Sequence, residues 1–250
     1  MNKDVFLKQI MSEAFVSFEY KPVFDIEKRY VDFERALSEV FEKGGVLTKV
    51  PDNSPPMIPR FVLESKNNRS LEVSIVNATL KFAPRGLNYS EALNILKSKA
   101  STVFKYIVKQ KSFEVDIIRI GFLIKLGLKD IDLPIHEKFF DEYFKFARPE
   151  NLSFCNFEYS TKNGHFNEKV KFENYEEREI TLEGNSNPPN HYFKLSTDKM
   201  KKIKAGIAVR VTIETTIDKI SQHEDVHAFY KNTMAKACEK VDSQIEFLIG

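Results

Sequence analysis

The stretch "VDIIRIGFLIKLGL", residues 115–128, decides how the rest of the chain is read. It contains the longest candidate for a membrane span, Ile117 to Leu128, but Arg119 and Lys125 interrupt it. A spanning helix needs roughly 18 consecutive apolar residues, and no segment approaches that. The run is instead rich in β-branched residues and alternates, which predicts a long β-strand.

Upstream of that strand, "NYSEALNILKSKASTVFKYIVKQK" (88–111) places Leu93, Leu96, Ala100, Val103, Phe104, Ile107 and Val108 at helical spacing. Before it, "RFVLESKNNRSLEVSIVNATLKF" (60–82) has two alternating runs around "KNNR", and Asn tolerates the positive φ of a tight turn. A hairpin is expected there, with a bend near Asn77. "VPDNSPPMIPR" (50–60) is a proline-punctuated loop. "DIEKRYVDFERALSEVFEKGG" (25–45) repeats Ile26, Tyr30, Phe33, Leu37 and Phe41, predicting one helix stopped by Gly44-Gly45. "EAFVSFEYKP" (13–22) alternates and stops at Pro22, as a strand does. The order to residue 130 is β-α-β-β-α-β, common for an antiparallel sheet with helices on one face.

Downstream, "LPIHEKFFDEYFKFA" (133–147) predicts a helix. "LSFCNFEYST" (152–161) and "HFNEKVKFENY" (165–175) are strands joined through Asn163-Gly164, a strong hairpin signal. "EREITLEG" (177–184), "HYFKLS" (191–196) and "GIAVRVTIETTI" (206–217) read as further strands, with "NSNPPN" (185–190) as a loop. A last helix runs from about Ser221 to the end. The expectation is an α+β protein of two subdomains, 1–130 and 131–250, closed by a long C-terminal helix.

Bulk properties narrow the function classes. With 250 residues, 42% hydrophobic and 30% charged, the chain can bury a substantial core and is not disordered. A net charge of +2 is far below the basic excess of a dedicated nucleic-acid binder. The first residues carry scattered charges, so no signal peptide is read. Cys155 and Cys238 form no disulfide framework or C-x-x-C pair, which points to reduced thiols in a cytoplasmic protein.

One short motif competes for attention. His223, Glu224 and His227 spell H-E-x-x-H, the spacing that sets two zinc ligands one helical turn apart with a general base between them. Asp225 is an unusual residue inside such a motif, Ser221 and Gln222 precede it where apolar anchors belong, and no third His follows. Ser221 with Glu224 three residues on has capping-box spacing, and Glu224 and Asp225 suit the positive helix end. The reading adopted is helix-start chemistry with no cofactor. The alternative is a zinc-dependent hydrolase with His223 and His227 as ligands and Glu224 as base.

Other clusters have bland explanations. His136, Glu137, Asp141 and Glu142 fit the solvated face of an amphipathic helix whose aromatic side is core or oligomer contact. Lys199, Lys201, Lys202 and Lys204 could contact phosphate, but no aromatic residue interleaves them for base stacking, and a solvated turn is expected.

Pro59-Arg60 leading into the hairpin, Arg119-Ile120-Gly121 after the second long helix, and Asp218 followed by His227 form a recognisable layout. It resembles a sporadically distributed bacterial family of proteins of about this length and uncharacterised function. The chain departs from that pattern after Gly121, where Phe122-Leu123-Ile124 replaces arginine and an aromatic residue. The resemblance implies no activity, substrate or cofactor, and it implies a helix-opening place for His227. The functional expectation is a non-catalytic binding protein. A protein partner or self-association is expected, or a small ligand between the subdomains, with no membrane partner and weak nucleic-acid binding as the remaining alternative.

Overall fold

A computed structural model describes residues 6–51, 53–110, 112–144, 155–180, 200–217 and 226–249. Its elements are β1 (Phe6–Tyr20), a 3-10 turn (Ile26–Arg29) leading into α1 (Tyr30–Ala36), β2 (Gly45–Leu47), β3 (Phe61–Glu64), β4 (Arg69–Val73), β5 (Asn77–Phe82) and α2 (Tyr89–Lys109). They continue with β6 (Val115–Leu128), α3 (Ile135–Tyr143), β7 (Asn156–Asn163), β8 (Phe166–Ile180), β9 (Met200–Thr216) and α4 (Val226–Ile249). The fold is α+β. One antiparallel sheet runs in the order β2-β3-β4-β5-β1-β6-β9-β8-β7.

The stretch 115–128 is β6, an interior strand with β1 on one side and β9 on the other. It is also where the two halves of the chain meet. β1–β6 come from residues before 130 and β7–β9 from residues after it, and β6 pairs with β9 from Ile117↔Thr216 to Gly127↔Gly206. The sheet and one continuous apolar core therefore run through the expected 1–130 and 131–250 boundary.

Period-two alternation sorts each strand into two faces. Val16, Phe18, Ile118, Ile120, Phe122, Val209, Val211 and Ile213 point toward the helices and are buried. Phe104 of α2 lies 4.6 Å from Tyr230 of α4 in a stacked arrangement, and 5.2 Å from Phe18 beneath them. Phe18 and Phe104, both fully buried, each contribute about 1.5–3 kcal/mol relative to exposure. α2 starts cleanly because Asn88 and Glu91 form a reciprocal capping box. α1 packs its Phe33 against Phe61, Tyr106 and Phe113. α3 sets Phe139 against Phe172 of β8. The helices thus share one face.

Several sequence expectations change in the structure. The helix expected over 25–45 is α only from Tyr30 to Ala36. Turns then carry Leu37, Val40 and Phe41 into the core, and Gly44 closes them at a φ of 75°. The apolar stripe survives without a continuous helix because burial, not helicity, is what it encodes. β1 begins at Phe6 and not near Glu13, since β6 offers pairing as far as Leu128. The expected hairpin over 60–82 is three strands, its bend held by Val76 and Asn77 amides donating to the Ser74 hydroxyl. The start of "EREITLEG" continues β8, with only a register irregularity between Glu177 and Arg178. "NSNPPN", "HYFKLS" and the expected N-cap Ser221 lie outside the described residues.

Candidate functional site

The face of the sheet opposite the helices carries a groove of about 550 Å³. Its lining comes from β4, β5, β1, β6 and β9, and includes Glu13, Phe15, Ser70, Lys81, Leu123 and Arg210. Phe15 and Gly121 are directly paired across β1 and β6. A Cβ on Gly121 would stand 2.2 Å from Phe15 Cε1, so the ring occupies the room that a side chain would need. The ring therefore lies across its neighbour and forms an aromatic floor. A register irregularity in β1 between Met11 and Glu13 adjoins it, the kind of bulge that re-aims a side chain at a site.

The charges around the groove are mostly matched. On this face Lys81 meets Glu72 at 2.5 Å and Lys171 meets Glu173 at 2.5 Å. Lys169 meets Glu158 and Lys125 meets Glu177, each at 2.8 Å. Arg119 is held between Glu19 and Glu214, both at 2.6 Å, and the Asn167 amide donates to Glu214 at 3.2 Å. Burial works against charge on Arg119, yet the two glutamates prevail and raise its pKa further. Lys125 and then Lys204 hold the Glu177 carboxyl below its ordinary range.

Arg210 is different. It is exposed at the end of the groove and has no hydrogen bond or ion pair among the described residues. Leu123 sits beside it in register, and Glu13 sits on the far side of Leu123. Two strand spacings put the Cα atoms of Glu13 and Arg210 about 10 Å apart. The site thus offers a guanidinium fork, an aromatic floor and a carboxylate rim.

The described residues among those singled out from the sequence fall elsewhere. His227 is in the first turn of α4, half-buried, with its ring edge-on to Phe104 at 5.2 Å on the helix side of the sheet. His223 and Glu224 lie outside the described residues, as does Lys199. Lys201, Lys202 and Lys204 belong to β9, not to a turn, because that segment pairs with the end of β8. Lys202 binds Glu176 at 2.9 Å and Lys204 binds Glu177 at 3.0 Å, while Lys201 is exposed. This cross-strand glutamate row offsets much of the basic run. Asp141 and Glu142 are exposed on α3 and Phe139 and Phe140 are buried, the amphipathic division expected. Cys155 and Cys238 are both buried, and burial raises both thiol pKa values.

Sequence reading passed over Glu13, Phe15, Lys81, Leu123 and Arg210. Alternation places each on the outer face of its strand, but their convergence depends on which strands pair. Compared with known proteins, the chain matches no family model, no curated sequence and no solved structure.

Proposed function

We propose that this chain is a non-catalytic binding protein whose groove on the open sheet face takes a small ligand combining an anionic group with a flat apolar body. The observation that carries this reading is Arg210. The open-face cations Lys81, Arg119, Lys125, Lys169 and Lys171 each have a carboxylate within 2.8 Å, and Arg210 has none among the described residues. A guanidinium presents planar donors suited to bidentate pairing with carboxylate, sulfonate or phosphate oxygens. Phe15 and Leu123 beside it supply the apolar contact, and a volume of about 550 Å³ suits a small organic molecule. The paired charges around the groove hold the platform in one arrangement, so little ordering is required when a ligand arrives.

The test is calorimetric titration with naphthalenesulfonate, using neutral naphthol as the size-matched control. Sulfonate is expected to bind more tightly than naphthol, and Arg210→Glu to weaken the sulfonate by at least about tenfold while leaving naphthol little changed. Equal sulfonate affinity for wild type and Arg210→Glu would sink the reading. Lys201→Glu, distant on the same strand, serves as the charge-matched control.

A further inference from the structure

The sheet ends on β7 at one side and β2 at the other, and the two edges differ. β2 has three residues, whereas β7 has eight, is exposed along nearly all its length and contains neither Pro nor Gly. Nothing pairs with its outer edge among the described residues. Long unpaired edges recruit further strands, and natural proteins either blunt them or use them.

The direction of the edge groups follows from the β7–β8 ladder. Asn156 pairs with Glu173, so Cys155 stands opposite Asn174, and the Asn174 amide donates to the Cys155 carbonyl at 3.5 Å. Hydrogen-bonded and non-bonded positions alternate along an antiparallel pair. Phe157, Tyr159, Thr161 and Asn163 therefore bond to β8, which agrees with the two-residue turn that Asn163 and Phe166 close. Asn156, Glu158, Ser160 and Lys162 turn their N–H and C=O groups outward.

A second copy can add to this edge only by matching outward residues to outward residues, so the two-fold axis must pass between a residue and its own copy directly opposite. On Tyr159 it would set Glu158 against Ser160; on Thr161 it would set Ser160 against Lys162. On Ser160 it sets Glu158 against Lys162 twice, with about six backbone hydrogen bonds from three bonded pairs. Opposite charges directly across a strand pair stabilise that register, and like charges oppose it. Lys162 has no ion pair among the described residues. On the helix side of the seam, Phe157 is 40% exposed and Phe247 54% exposed, both in ring contact with Phe172. These rings offer apolar surface next to the edge.

We infer that the chain forms a two-fold dimer in which β7 of each copy pairs antiparallel with Ser160 on the axis, joining two sheets into one. This does not depend on the groove. The test is the mass of the full chain by light scattering, with circular dichroism to verify folding of each variant. The wild type is expected at twice 29.0 kDa. Ser160→Pro removes one outward donor without touching the bonds to β8, and should halve the mass. Glu158→Lys and Lys162→Glu each place like charges across the seam and should also halve it. An equimolar mixture of those two charge variants restores complementary pairs and should return the mass to that of a dimer. A wild type that stays monomeric at every concentration overturns the inference. So does a dimer that survives all three substitutions, or a mixture that stays monomeric.

Discussion

Gly121 and Phe15 show how much a single missing side chain organises. A methyl group at Gly121 would meet the Phe15 ring at 2.2 Å, so Gly121→Ala must push the ring off the sheet. The expected cost is about 1–3 kcal/mol, read as a lower urea midpoint at unchanged slope. Phe15→Ala in the same chain removes the obstacle, so the double variant should be more stable than the two single losses added together. If the losses are simply additive, the ring does not rest on that glycine. Tyr175 pairs with Gly206 across β8 and β9, but there a Cβ would meet the Leu126 backbone carbonyl at 2.0 Å before the Tyr175 ring at 2.9 Å, and the Lys125 ammonium lies 4.8 Å from that ring. Neither pairing is visible in sequence, where Phe15 and Gly121 stand far apart.

At the scale of elements, α2 and α4 make different demands. The capping box on α2 satisfies backbone donors at Asn88 and Glu91, so Asn88→Ala should cost about 1 kcal/mol in chemical denaturation. α4 carries the zinc question. Its first described turn sets the His227 ring edge-on to Phe104. The expected outcome of metal analysis is no stoichiometric zinc in the purified protein, with His227→Ala unchanged in metal content. Stoichiometric zinc lost on that substitution would favour the hydrolase reading of His223, Glu224 and His227. The α2 apolar stripe was legible because it is local, whereas the Asn88–Glu91 capping box emerged only in the structure. The turn-rich path after α1 was not legible either, since an apolar repeat marks buried positions whether the backbone is helical or not.

For the whole molecule, the charge pairs along the sheet respond to acid with a definite sign. Lys202 and Arg178 hold Glu176 below its ordinary 4.5, and Lys125 and Lys204 do the same for Glu177. A carboxylate with a lowered folded pKa stabilises the fold above its unfolded value and loses that contribution as pH falls through the folded one. Stability is therefore expected to hold down to about 4.5 and to decline below it, because the unfolded chain takes up protons first. These carboxylates are about a third exposed, so added salt should flatten the decline. Urea midpoints across the acid range, at low and high salt, measure both. A midpoint that rises on acidification would contradict the pairing.

The sequence by itself determined the α+β class, the identity of most strands and of α2, and the face on which nearly every strand residue lies. Those follow from backbone periodicity, which is local. Only the tertiary structure decided that β6 joins the halves of the chain in one sheet, and that Arg119 meets Glu19 and Glu214. It also decided that Glu13, Leu123 and Arg210 line up across three strands. Such neighbours are set by long-range hydrogen-bond register, and a one-residue slip would exchange every one of them for another.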